Sequence, residues 1–218
     1  TYLTENLNRF RAILLTHGHE DHIGSLPYLV PQLDSIAPVP MYGSRLALAF
    51  ARNKLEEAKA AHLVDFMPID PGVKYRIGHH MEVEFIPVTH SIPGSMAISI
   101  STPVGRMIHT GDFKFDPTPP LGPHTDERRL RQMGDEGVLA LFSDTVRIER
   151  EGSTPSEAIV SETLDRIIGQ AQGRVILTSF ASNILRLEQA IEKAAHRGRK
   201  VAVVGRSMVQ SVDVARDL

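Results

Sequence analysis

The sequence contains 218 residues, of which 42% are hydrophobic and 23% are charged, and its formal net charge at pH 7 is −2. This composition is typical of a globular chain long enough for one domain and part of another, and it excludes a generic polycation. The chain has no cysteine, so any metal ion must be held by imidazole and carboxylate groups. No apolar run approaches the ~20 residues of a membrane span and no signal peptide is visible, so we expect no membrane partner.

The first predicted elements enclose a dense cluster of polar side chains. The apolar run 12–15 predicts a short buried strand, and residues 23–30 predict a helix with a proline in its first turn. Between them lies the motif His17-Gly18-His19-Glu20-Asp21-His22. Four ligand-type side chains crowded onto one turn would repel or desolvate one another without a cation, so the motif predicts a metal site.

The spacing within this motif predicts two metal positions rather than one. His17 and His19 are two residues apart on extended backbone, and they therefore point the same way. Asp21 and His22 already bend into the helix, so they point to a second position a short distance further on.

The predicted elements up to residue 148 are mainly strands, with one long helix that Ser44 caps. In chain order they are a strand at 38–43, the helix at 44–61, a half-buried strand at 81–88, a hairpin of 96–101 and 106–110, a loop at 116–137 and a buried strand at 138–142. Three further ligand-type residues come directly after these strands, namely His90, Asp112 and Asp144.

After residue 148 strands and helices alternate regularly. The capping box at 154–157 predicts a helix start, and it is followed by a predicted strand at 175–178, a helix from about 184 and a strand at 201–204. This pattern predicts the start of a parallel sheet, so we predict two domains, 1–148 and 149–218. The chain starts at Thr1 without a methionine and stops in predicted helix, so we expect an internal fragment whose first N-terminal strands are missing.

The number of ligands predicts how two ions would be shared. The first ion would take three imidazoles and the second a carboxylate and an imidazole, while another carboxylate bridges both. In that order the predicted ligands are His17, His19 and His90, then Asp21 and His22, then Asp112. We expect a histidine beyond Leu218 to complete the second ion's ligands.

Nitrogen and oxygen ligands in this ratio favour zinc and lack the carboxylates of a redox di-iron site. Two such ions about 3.5–4 Å apart can activate a water molecule at neutral pH and hold a phosphoryl group in line. Asp21 is therefore also a candidate to orient or deprotonate that water.

The motifs carry a resemblance to a known family. His17 to His22 match the HxHxDH signature of the metallo-β-lactamase superfamily, and residues 88–90 and 110–112 match its next ligand motifs in order. LTHGHEDHIGSLPYL, PVTHSIPGSMA, HTGDFKFD, TSFASNI and GRKVAVVGRSM are similar, more specifically, to the ribonuclease J family of the β-CASP nuclease branch.

That resemblance implies an α/β chain in which a partial αββα metallo-β-lactamase domain is followed by the start of an inserted β-CASP domain. It implies 5′→3′ exonuclease and endonuclease activity on RNA in processing and decay, and Asp144 then matches the first acidic β-CASP motif and is a catalytic candidate. The implied cofactors are two Zn²⁺, with Mn²⁺ or Mg²⁺ as alternatives for one of them. The implied partner is single-stranded RNA with a 5′-monophosphate end, handled by a cytoplasmic homodimer.

Three alternatives stay open. A DNA-end-processing β-CASP nuclease would use the same metals, and RNA cannot be separated from DNA by sequence alone because 2′-hydroxyl contacts are invisible there. A thioester hydrolase shares the first motif, and the β-CASP-like motifs count against it. A non-catalytic RNA-binding subunit is a different class of protein, and the intact ligand set counts against it.

Two loops of the second domain predict phosphate contacts. Residues 178–183 and 205–207 each follow a predicted strand and open a helix, so their backbone N–H groups and hydroxyls would lie at one sheet edge. Ser182, Arg206 and Ser207 are the predicted substrate-binding residues, with Arg206 as a forked donor. In the alternative interpretation the serines are helix N-caps and Arg206 is a solvated surface residue.

Overall fold

The computed structural model describes residues 2–146 and 148–216 and shows an α/β fold. Its strands are β1 Ile13–Leu14, β2 Val39–Gly43, β3 Val64–Pro68, β4 Lys74–Ile77, β5 Met81–Pro87, β6 Met96–Thr102, β7 Gly105–His109 and β8 Ala140–Phe142. The helices are α1 Tyr2–Glu5, α2 Glu20–Ile23, α3 Leu26–Leu29, α4 Arg45–Glu57, α5 Glu127–Glu136, α6 Glu157–Gln170, α7 Ile184–His196 and α8 Arg206–Arg216. Short 3₁₀ helices cover Leu7–Arg9, Val30–Ile36 and Ala61–Leu63.

The strands form two sheets. The first sheet is parallel, in the order β1-β2-β3. The second has the order β4-β5-β6-β7-β8, in which β4 to β7 are antiparallel and β8 is parallel to β7. The predicted hairpin is therefore confirmed as β6 and β7, whereas β3 and β4 were not predicted.

The helices and sheets form four layers in the order helix, sheet, sheet, helix. One hydrophobic cluster packs α4 against the first sheet, a second fills the space between the sheets, and a third packs the second sheet against α5. Along β5, Val83 and Phe85 face the first sheet, while Ile86 packs toward α5. This is the predicted αββα arrangement.

Three predicted elements in this half need correction. The predicted helix at 23–30 is two short helices, α2 and α3, because Pro27 lacks an N–H and cannot continue α2. The strand predicted as half-buried at 81–88 is covered on both faces, because the Glu84 side chain is buried under α5 and paired with Arg129. The strand predicted as buried at 138–142 lies at the sheet edge as β8, where Leu141 and Phe142 are exposed.

The second half confirms the helices but not the strands. Ser156, rather than the predicted Thr154, caps α6 by accepting a hydrogen bond from the backbone of Ala158. The runs 175–178 and 201–204 belong to none of the strands within the described residues. Both runs are largely exposed and lie around one apolar cleft with α6 and α7. Apolar, β-branched composition predicts a strand, but a strand also needs a neighbouring backbone to pair with.

No helix in the described part of the chain is both long and apolar enough to cross a membrane.

Candidate metal centre

The predicted ligand motif lies on the turn from β1 to α2. His19 is the N-cap residue of α2, with extended backbone (φ −71°, ψ 153°), and the helix begins at Glu20. His17 and His19 therefore lie on extended chain, while Asp21 and His22 lie in the first helical turn. Gly18 passes close to α4, since a Cβ there would be 3.0 Å from the ring of Phe50.

His90 and Asp112 reach the same place from the second sheet. His90 follows β5, and Asp112 follows β7. The chain enters Asp112 through Gly111, whose φ of 59° disfavours a side chain and whose added Cβ would be 2.8 Å from the Cβ of Thr16. The Nδ1 atom of His109 accepts a hydrogen bond from the Gly111 backbone N–H at 3.0 Å, which helps to hold this turn.

The first group of side chains contains three histidines and one aspartate, His17, His19, His90 and Asp112. The Nδ1 atom of His19 lies 3.1 Å from the Nε2 atoms of both His17 and His90. Oδ2 of Asp112 lies 3.5 Å from Nε2 of His90 and 3.8 Å from Nε2 of His17. Ligands about 2.0–2.1 Å from a tetrahedral ion are about 3.3 Å apart, so this donor set fits one.

The second group consists of Asp21, His22 and Asp112. Nε2 of His22 lies 3.2 Å from Oδ1 of Asp112 and 3.6 Å from Oδ2 of Asp21. Asp112 thus turns one carboxylate oxygen toward each group. All six predicted ligands are brought together, in two groups that share Asp112.

Burial favours the neutral form of His17, His19 and His90. Burial, followed by repulsion from His22, His19 and His90, lowers the pKa of His17 to about 2. Burial is also the largest cause that lowers the pKa of His90 to about 4 and the pKa of His19 below its ordinary value. Metal binding needs an unprotonated imidazole nitrogen, and these pKa values keep the rings unprotonated at neutral pH.

The outward-facing ring nitrogens also have partners. Nδ1 of His17 lies 3.1 Å from the buried hydroxyl of Thr16. Nε2 of His19 lies 3.2 Å from the backbone carbonyl oxygen of Ser182, 163 positions further along the chain. Such outer partners orient metal-binding imidazoles and select their tautomers.

Asp144 lies beside the cluster without joining either group. Its backbone N–H donates to the hydroxyl of Thr110 at 3.0 Å, and its Oδ1 accepts from the backbone N–H of Val146 at 2.8 Å. Its negative charge still acts on His90, whose pKa it raises against the dominant lowering by burial. Asp21, which lies beside His22, is exposed, with 77% of its side chain open to solvent.

A cavity of about 460 Å³ opens beside His19 and includes the predicted Ser182 and Ser207 together with Phe180. Lys54 lines it too, and its ammonium is held 2.6 Å from the Glu20 carboxylate. Arg206 instead lines a neighbouring groove of about 960 Å³ between α4 and α8. Ser182 is not the N-cap of α7, because Asn183 caps that helix by accepting from the Arg186 N–H.

Sequence reasoning missed Thr16, Lys54 and the Ser182 carbonyl. Thr16 directly precedes the first ligand in the motif, and that position was the only sequence signal for it. Lys54 and the carbonyl reach the centre through tertiary contacts across 34 and 163 positions, which local patterns do not record.

Two family models match parts of the chain. Residues 1–133 match the family model described as the beta-lactamase superfamily domain, and residues 172–218 match the ribonuclease J beta-CASP domain. A solved structure of a protein of unknown function from Enterococcus faecalis shares the fold, with a TM-score of 0.59 at 20% identity over 89% of this chain and 52% of that one.

The chain belongs to the beta-lactamase superfamily, whose domain covers most of it. Among curated proteins, it is similar to ribonuclease J of Thermus thermophilus, at 44% identity over 100% of this chain and 38% of that protein. It is also similar to ribonuclease J 1 of Streptococcus pyogenes, at 45% identity over 97% of this chain and 37% of the relative. A third similar protein is ribonuclease J2 of Bacillus subtilis, at 41% identity over 100% of this chain and 38% of that protein. The chain thus spans less than two fifths of the length of these relatives.

Proposed function

We propose that this chain carries the metal centre of a zinc-dependent ribonuclease that hydrolyses phosphodiester bonds in RNA, both 5′→3′ from an end and internally, in RNA processing and decay. The observation that carries the proposal is Asp112, because its two carboxylate oxygens face two separate ligand groups. The similarity to proteins named ribonuclease J supports RNA as the substrate. A nuclease specific for DNA ends is the alternative with the same centre.

In this proposal two zinc ions are bound, with Mn²⁺ or Mg²⁺ as alternatives for one. The first would be held by His17, His19 and His90, the second by Asp21 and His22, and Asp112 would contribute to both. When bound, such ions lower the pKa of water and neutralise charge on a phosphoryl group. A further histidine to complete the ligands of the second ion, beyond Leu218, stays a prediction.

Each protein group has a separate task. Asp112 holds the two ligand groups in register, since each of its oxygens is within 4 Å of one group's imidazoles. Asp21, with its exposed carboxylate, would accept a proton from an attacking water. Asp144, whose negative charge acts on His90, would be the acidic catalytic residue that the resemblance implies.

The RNA chain would leave the centre through the cavity beside His19. Ser182 and Ser207 offer hydroxyls there, and Phe180, which is 83% exposed, offers a ring on which a base can stack. Asn53 and Gln210 line both this cavity and the groove of Arg206, so one strand could pass from one to the other. The preference for a 5′-monophosphate, the homodimer and the cytoplasmic location stay predictions from the resemblance.

The test compares matched RNA and DNA oligonucleotides, each with a 5′-monophosphate, as substrates of the natural full-length protein. We expect release of mononucleotides and internal fragments from RNA only, two zinc ions per chain by elemental analysis, and loss of cleavage in His90→Ala. His79→Ala is the matched control, because His79 is an exposed histidine that belongs to neither ligand group. Cleavage of DNA alone would favour the DNA-end nuclease, and intact activity in His90→Ala would refute the metal assignment.

A further inference from the structure

A backbone carbonyl group from the second half of the chain contacts one histidine of the candidate metal centre. Nδ1 of His19 faces the other imidazoles, while its Nε2 lies 3.2 Å from the carbonyl oxygen of Ser182. A carbonyl oxygen can only accept a hydrogen bond, so Nε2 must carry the proton. The lone pair is thereby left on Nδ1, the atom that faces the ligand group.

The carbonyl is held in place by a turn that precedes α7. The backbone N–H of Asn183 donates to the carbonyl of Phe180 at 3.1 Å, and the N–H of Ile184 donates to the Ser182 carbonyl at 3.0 Å. The Asn183 side chain caps α7 by accepting from the Arg186 N–H at 3.1 Å. The Ser182 carbonyl oxygen therefore has two partners, the Ile184 N–H and His19, and together they fix its direction.

The start of α7 also contacts the loop that carries His90. The backbone N–H of Leu185 donates to the carbonyl of Ser91 at 3.2 Å, and Ser91 follows His90. Ile184 also packs with Leu46 and Ile92 in a small apolar cluster. The N-terminus of α7 therefore contacts the first ligand group at two places, one beside His19 and one beside His90.

We propose that the Ser182 carbonyl is a positioning group, which fixes the tautomer of His19 and couples the placement of α7 to metal affinity. The inference rests on the proposed function only in requiring that His19 bind a metal ion. By this coupling, any shift of α7 on binding substrate changes the first ligand group. The Ser182 hydroxyl and carbonyl thus have separate roles, one toward substrate and one toward His19.

The test removes the cap that aims the carbonyl and leaves every metal ligand in place. Asn183→Ala in the full-length protein should weaken zinc binding roughly tenfold in competition with a chelator, the lower end of the effect typical of lost outer partners. Asn183→Ser should restore the affinity, because serine is an equally good N-cap. Ser156→Ala is the matched control, since it removes the cap of α6, whose start forms no hydrogen bond with His19 in the described part of the chain.

A second readout reports the tautomer itself. In ¹H–¹⁵N spectra of the zinc-loaded protein, His19 should show a protonated Nε2 that exchanges slowly with water in the wild type and in Ser156→Ala, and rapidly in Asn183→Ala. Equal zinc affinity and equal exchange in Asn183→Ala and the wild type would overturn the proposal. Ser182→Ala retains the carbonyl and should keep the zinc affinity while RNA binding falls. If His19→Ala itself bound zinc normally, the proposed metal centre would fail instead.

Discussion

Asp116 offers a quantitative test of how the two halves of the chain are joined. It lies four residues after Asp112 and is buried, with 4% of its surface exposed. Its Oδ1 accepts from the Thr118 N–H at 3.0 Å, and its Oδ2 accepts from the Glu157 N–H at the start of α6, also at 3.0 Å. The Lys114 ammonium lies 3.2 Å from Oδ2.

These contacts set the size of the expected effect. Burial alone would raise the pKa of Asp116, but hydrogen bonds from Ser156, the Glu157 and Thr118 backbones and Lys114 outweigh it and lower the pKa from 3.8 to about 2. One pKa unit corresponds to about 1.4 kcal/mol, so ionised Asp116 stabilises the fold by about 2 kcal/mol. Because the folded pKa is the lower one, this stability is complete above about pH 4 and is lost as the pH falls toward 2.

Asparagine resembles the protonated acid, so Asp116→Asn should lower the free energy of unfolding by about 2 kcal/mol at pH 7. Urea unfolding between pH 8 and pH 3 measures it, and the difference from the wild type should be constant down to about pH 4 and shrink below. Asp165→Asn is the control, because Asp165 pairs with Arg197 on an exposed surface and should cost much less. A loss at pH 7 no larger than that of the control would refute the reasoning.

Three further outcomes are expected. Asp112→Ala should remove more zinc than His90→Ala, because it takes one oxygen from each ligand group; retention of both ions, measured by elemental analysis, would make Asp112 an ordinary loop residue. Gly111→Ala should weaken zinc binding without removing a ligand, since the new Cβ would meet that of Thr16 at 2.8 Å and its φ is 59°; chelator competition measures this, and unchanged affinity would contradict it. Ser182→Ala combined with Arg206→Ala should weaken RNA binding and reduce its salt dependence by about one phosphate contact at unchanged zinc content; an unaltered salt series would assign both side chains to structure.

Local sequence determined the parts of the centre that lie within one turn. Alternation on extended backbone sets His17 and His19 side by side, and the helix start brings His22 to the second ligand group, with its ring 4.0 Å from that of His17. The strand before this motif and the hairpin before Asp112 were likewise predicted, because side-chain periodicity and turn residues are local properties. The αββα order followed from the resemblance and is confirmed by the packing of α4 and α5 on opposite faces.

Only the tertiary structure decided which groups meet across the chain. Alternation could not show that Glu84 is buried, because the partner that makes burial tolerable, Arg129, comes 45 positions later. Nor could it show that Arg206 and Ser182 line different cavities, since that depends on how α8 packs against α4. The contact between His19 and the Ser182 carbonyl uses backbone that every residue type possesses, so no residue pattern encodes it. It exists because packing across 163 positions brings the turn before α7 to the start of α2.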